Sequence, residues 1–231
     1  WCKTLRQRLE VMIKNIEKFK EQFYSIKRLG VNLSDGGGPF GFDIHKAYDV
    51  CSIIDNTTID LIIETGCNIG DTTEFLAVRY PDIKIIVCDT NPVYVNLAEM
   101  RLKQYKNVEI YEVSSEYLVN KVNQEKNTLF YLDAHWGNYH PLEDELKNIK
   151  KGYVVVDDFN IGCSNFGFDV YKKIIDVNIL KPYTDEAYIN NPFFKYPFSN
   201  HQVNRKAGRA FFQKGYDSKI FQLDNYNKIY G

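Results

Sequence analysis

Apolar residues recur at Leu5, Leu9, Met12, Ile16, Phe19, Phe23 and Ile26, alternately four and three positions apart, with lysine, arginine and glutamate between them. That spacing predicts an amphipathic helix over residues 1–30 with a coiled-coil-like seam, closed at Gly30. Such a stripe can pack on its own domain or pair with another copy, so the helix is expected to be a packing or oligomerisation arm, with a homodimer as one outcome. The run SDGGGPFG (34–41) then breaks regular structure with four glycines and a proline, and reads as a mobile loop or hinge. No strand leads into it and no Lys-Ser/Thr pair follows it, so it is not read as a phosphate-binding loop.

Beyond a helix expected over 43–55, short β-branched apolar runs alternate with helical patterns. The strands expected are IDLIIE (59–64), KIIVCD (84–89), VEIYEV (108–113), TLFYLDA (128–134) and YVVVDD (153–158), with helices near 71–79, 92–104, 115–124 and 141–149. DEAYIN (185–190) and GRAFFQK (208–214) are expected to form an antiparallel pair. The order predicts a Rossmann-like α/β three-layer sandwich over 31–231, built on a mostly parallel seven-stranded sheet with a C-terminal antiparallel pair. By analogy of fold, that sheet resembles those of class I methyltransferases more than that of a dehydrogenase.

With 231 residues and 44% hydrophobic content, the chain can bury one sizeable core. Lysine plus arginine (29) nearly balances aspartate plus glutamate (30), and no basic stripe stands out, so nucleic acid is not an expected partner. Cys2, Cys51, Cys67, Cys88 and Cys163 show neither zinc-ligand nor disulfide-framework spacing, which points to a reducing, cytoplasmic setting. No apolar run approaches the roughly 18 residues that a transmembrane helix needs. The chain begins with Trp1, and is read as a processed chain or a segment of a longer, multidomain polypeptide.

The first long strand ends in Glu64 and runs into TGCNIGDTT (65–73), which sets Gly66 and Gly70 in a strand-to-helix turn whose backbone can approach a ligand closely. Asp71 and Thr72 open the next helix. A dinucleotide fingerprint would need a glycine where Cys67 and Asn68 stand. The second strand ends in Asp89, placed to accept hydrogen bonds from a ribose diol. The pattern resembles methyltransferase motif I, E/D-x-G-x-x-x-G, followed by motif II. The resemblance implies S-adenosylmethionine (SAM) as cofactor, with Glu64, Gly66, Asn68, Gly70, Asp71, Thr72 and Asp89 around it and Ser114 and Ser115 bordering the adenine.

The fourth strand ends in LDAHWGNYHPLEDEL (132–146) and the fifth in Asp157-Asp158, so carboxylates and an imidazole meet at adjacent strand ends. Unpaired, they would be costly to hold ionised, and a divalent cation, Mg2+ or Mn2+ by its oxygen ligands, is the natural neutraliser. Over residues 59–215 these motifs resemble the metal-dependent sugar O-methyltransferases of the macrocin O-methyltransferase type. That resemblance implies a metal on Asp133, Asp157 and Asp158 gripping a sugar or glycan acceptor. His135 stands where the family has a second aspartate, and the base is left between His135 and Asp133. Trp136, Tyr139 and His140 are candidate acceptor contacts, and His140 can instead cap the helix that follows. Arg205 and Arg209 read either as acceptor contacts or as surface ion pairs.

Asn91-Pro92-Val93-Tyr94 resembles the Asn-Pro-Pro-Tyr motif of amino methyltransferases, but it follows the second strand rather than the fourth. It is read as a helix start with proline in the first turn. Two other functions fit the same residues: a catechol-type O-methyltransferase, and a SAM-binding module fused to a glycosyltransferase.

Overall fold

The computed structural model describes residues 2–27, 37–122, 125–135, 139–201 and 206–231, without the side chains of 2–11 and 13. Helix α1 (Cys2–Ser25) and α2 (Ile44–Asn56) precede β1 (Leu61–Thr65), α3 (Asp71–Arg79), β2 (Lys84–Asp89), α4 (Pro92–Leu102) and β3 (Val108–Glu112). Then come α5 (Ser115–Lys121), β4 (Thr128–Leu132), α6 (Leu142–Asn148), β5 (Gly152–Val156), α7 (Val177–Leu180), β6 (Ala187–Asn190), β7 (Ala210–Lys214) and β8 (Tyr226–Tyr230).

The strands lie in the order β3-β2-β1-β4-β5-β7-β6-β8. The first five are parallel, while β7 runs antiparallel to both β5 and β6, so the chain carries the Rossmann-like sheet and closing pair that its sequence predicts. One strand is added. Tyr226–Tyr230 pairs with β6 at the edge, in a segment whose Asn227 and Lys228 hide any strand alternation.

The strand period of two divides the core. Ile62, Leu129, Tyr131 and Val155 face one layer with α2 and α3, and Leu61, Ile63, Phe130, Val154 and Val156 face the other with α6. The stripe of α1 joins the first layer through Phe19, Phe23 and Ile26, which are buried, while Met12 is exposed. Among the described residues, no helix is long and apolar enough to cross a membrane. Gly30, expected to close α1, and the run 34–36 lie outside the described residues.

Register brings the chemistry together. Thr65 pairs with Leu132, and Leu132 with Val156, so β1, β4 and β5 end level with one another. The residues just past those ends, Gly66, Asp133 and Asp157, therefore emerge side by side at the carboxyl edge, where open α/β sheets bind ligands.

Candidate active site

A cavity of about 1000 Å3 opens at this edge. On one side it is lined by Glu64, Gly66, Asn68, Asp71, Thr72, Asp89 and Ser115, and on the other by Lys46, Asp133, His135, Asp157 and Asp158. Ser114 sits at the start of α5, and its side chain makes no capping bond.

The glycine turn is fixed by backbone geometry. Gly66 has φ +72°, and a Cβ there would fall 2.7 Å from the carbonyl oxygen of Asp133, so the two strand ends can approach only if this residue is glycine. Gly70, at φ +80°, would drive a Cβ to 2.8 Å from Leu102. Between them Asn68 also adopts positive φ, and its backbone N–H donates to Asp89 Oδ2 at 2.9 Å. Asn91 N–H donates to Asp89 Oδ1 at 2.9 Å. One amide on each oxygen orients the carboxylate and leaves lone pairs for a diol. Glu64 is buried and accepts the Thr73 hydroxyl at 2.7 Å. Burial pushes its carboxyl up to about 8, against that hydrogen bond.

Asp71 and Thr72, expected to meet the cofactor, line the cavity and are also engaged by the glycine-rich segment. Gly38 N–H donates to Asp71 Oδ2 at 2.9 Å, Phe40 N–H donates to Thr72 Oγ1 at 2.8 Å, and Asp71 is ion-paired with Arg101. Residues 37–42 thus form a strap across the N-terminus of α3, with Gly37, Gly38 and Gly41 lining the cavity. Phe40 and Phe42 take positive φ (54° and 62°), a conformation costly for such residues unless their surroundings hold it. Phe40 is buried against the rings of Phe75 and Tyr131.

At the other end, ligand atoms of Asp133, His135 and Asp158 lie within 4.8 Å of one another. Asp158 has φ 50°. His135 Nδ1 lies 3.6 Å from Asp169 Oδ2, which in turn accepts the Tyr171 hydroxyl at 2.7 Å. Burial, then the charge of Asp157, holds the Asp133 carboxyl well above the usual range.

Asp157 has different partners. Its Oδ2 accepts from Lys46 Nζ at 2.5 Å and from the Tyr131 hydroxyl at 2.8 Å, while its Oδ1 is buried with no hydrogen-bond partner among the described residues. Burial acts to raise this carboxyl, but the Lys46 ammonium outweighs it and holds Asp157 below its ordinary value. For Lys46, burial acts downward and the charges of Asp157, Asp158 and Asp133 outweigh it, so the ammonium is held above its usual range.

Lys46 is the site residue that sequence motifs miss. It lies on α2 at the spacing of Val50 and Ile53, and a lysine on an apolar helical stripe is the one available signal. Of the candidate acceptor contacts, Trp136 lies outside the described residues. Tyr139 is 40% exposed and His140 accepts from Leu142 N–H at the start of α6; neither lines the cavity. Arg209 is neither an acceptor contact nor a surface ion pair: it is 1% exposed, and its Nη2 meets Asp49 Oδ2 at 2.7 Å. Arg205 lies outside the described residues.

No family model matches the chain, and no curated protein matches it in sequence. Solved structures do match in fold. The N-methyltransferase NodS from Bradyrhizobium japonicum WM9 is 15% identical, with a TM-score of 0.50 over 74% of this chain and 93% of that one. The plantazolicin methyltransferase BamL, in complex with a triazolic desmethylPZN analog and SAH, is 9% identical, with a TM-score of 0.50 over 74% of this chain and 83% of that one. At such identities the likeness is one of architecture, and the chain has the Rossmann-like α/β fold of these methyltransferases.

Proposed function

We propose that the chain is a SAM-dependent O-methyltransferase acting on a hydroxyl of an uncharged sugar or glycan, with help from a divalent cation. One observation carries the reading: a single cavity joins the glycine turn and Asp89 at the ends of β1 and β2 to Asp133, His135 and Asp158 at the ends of β4 and β5.

SAM suits the first end. The turn from Gly66 to Gly70 offers close backbone approach for the methionine portion, Asp89 has free lone pairs for the ribose diol, and Ser115 borders the place for adenine. Asp89 and the other acidic residues of the lining favour the cationic sulfonium ligand. The SAH bound in the BamL structure supports the choice. An acid-rich lining disfavours phosphate-bearing acceptors, in keeping with a neutral acceptor and against nucleic acid.

The second end suits deprotonation of an alcohol. The methyl group of SAM is already activated, so alignment and proton removal are what remain. Asp133 and Asp158 offer hard oxygen donors that fit Mg2+ or Mn2+, and the cation's contribution would be to lower the pKa of an acceptor hydroxyl. His135, whose Nδ1 lies 3.6 Å from Asp169 Oδ2, is the base in this reading and takes the proton. A cytoplasmic setting belongs to the same reading, and the buried free thiols of Cys51, Cys67 and Cys88 support it. Pairing of two copies through α1 also belongs to it, and exposed Met12 on that stripe supports it.

The test is transfer of labelled methyl from SAM to a panel of neutral sugars, phosphosugars and catechols, with Mn2+, Mg2+ or EDTA. The reading expects transfer to a neutral sugar diol that EDTA and His135→Ala abolish. Transfer confined to catechols would replace the acceptor class. SAH binding without turnover on any acceptor would favour a cofactor-binding module fused to a glycosyltransferase.

A further inference from the structure

Two residues that emerge together from β5 face different surroundings. Asp158 lies with Asp133 and His135 in the cluster whose ligand atoms are within 4.8 Å, and Asp157 does not belong to it. Asp157 Oδ2 is saturated by Lys46 Nζ and the Tyr131 hydroxyl. Lys46 and Asp157 are 5% and 4% exposed, so their attraction is little screened by solvent. Tyr131 is fully buried beneath Phe40 of the strap, which gives the pair a rigid backing.

We propose that Lys46 is a positioning residue that withholds Asp157 from the cation site. The inference rests on the metal-assisted reading above. A carboxylate carrying an ammonium at 2.5 Å has its charge already compensated, and adding a divalent cation would set that cation against the buried ammonium. The cation is thereby left to Asp133 and Asp158, while Asp157 lines the cavity and keeps a buried Oδ1 that has no hydrogen-bond partner among the described residues. A second hydroxyl of a diol supplies the hydrogen that this oxygen lacks. The pair thus divides a diol acceptor: one oxygen toward the cation, its neighbour toward Asp157.

The test is Mn2+ binding to the full chain in the presence of SAH, read by titration calorimetry and by the electron paramagnetic resonance signal of free Mn2+. The charge-neutral double variant Lys46→Met/Asp157→Asn is compared with Asp158→Asn and with Lys46→Met. Expected are a loss of at least about tenfold in Mn2+ affinity for Asp158→Asn, a change within about threefold for the double variant, and a gain of more than about threefold for Lys46→Met as Asp157 is freed. Should Lys46→Met fail to fold, the double variant against Asp158→Asn still decides. A double variant that loses Mn2+ as severely as Asp158→Asn overturns the inference. So does a wild type that binds SAH but no Mn2+, which leaves methyl transfer itself standing; a wild type that binds neither sinks both readings.

Discussion

Lys46 Nζ and Asp157 Oδ2 stand 2.5 Å apart across 111 residues of chain, each nearly closed off from water. The contact ties α2 to the end of β5, one residue before Asp158. Three carboxylates at adjacent strand ends need a counter-charge, and the protein supplies part of it from its own second helix.

Removing only the cation therefore strands a buried carboxylate. Lys46→Met is expected to lower stability by about 3–5 kcal/mol, while Lys46→Met/Asp157→Asn recovers most of the loss, because replacing both partners of a buried pair removes the uncompensated charge. Urea unfolding of the two single variants and the double variant measures this. A loss in the double variant equal to the sum of the losses in Lys46→Met and Asp157→Asn would show that the pair is not coupled.

The strap rests on a small number of hydrogen bonds. Thr72→Ala leaves Phe40 N–H without its acceptor at 2.8 Å, and residues 38–42, two of them strained, are then expected to open more readily. A loss of about 1–2 kcal/mol corresponds to roughly five- to thirtyfold faster amide exchange in that segment, with β1 and β4 unchanged. Unaltered exchange at 38–42 would mean that packing of Phe40, not the hydrogen bond, holds the strap.

Glu145 gives stability a pH dependence. It is 1% exposed on α6, and burial pushes its carboxyl up to about 7 despite the nearby Ser115 and Thr65 hydroxyls. An unfolded glutamate titrates near 4.3, so between that pH and about 7 the folded state holds the extra proton, and stability falls as pH rises through the window. His140, pushed down to about 4 by burial and then by the charge of His135, acts in the opposite direction. The difference between proteins isolates Glu145: relative to wild type, Glu145→Gln should gain about 1–3 kcal/mol on going from about pH 5 to about pH 8, read from urea midpoints. A difference that stays constant across that range would contradict the raised pKa.

The sheet was readable because its signals are local. The buried parallel strand Gly152–Val156 is an unbroken apolar run, Leu61–Thr65 is apolar up to Glu64, and the turn at Gly66 sits in a short motif of fixed spacing. The missing parts depend on contacts far apart in sequence. Lys46 reads as one more helical lysine until α2 is laid against β5. The hydrogen bonds of Asp71 and Thr72 to residues 38–40, over 30 positions away, are equally invisible in sequence. Asp157 and Asp158 are indistinguishable as neighbours in sequence, and only the fold sets Asp157 against Lys46 and Tyr131 and Asp158 beside Asp133 and His135. Strand β8 hides for another reason: an edge strand half open to solvent tolerates Asn227 and Lys228 and so loses the alternation that marks a strand.

The proposed methyl transfer depends on the proposed cofactor site, and SAH affinity tests that site most directly. Titration calorimetry on the wild type and on Asp89→Ala, with thermal unfolding to verify that both are folded, is expected to give micromolar binding by the wild type. Loss of the two charge-assisted hydrogen bonds of a ribose diol should weaken Asp89→Ala by at least about tenfold. Equal SAH affinity in the two proteins would remove Asp89 from the site, and no binding by folded wild type would contradict the methyltransferase assignment itself.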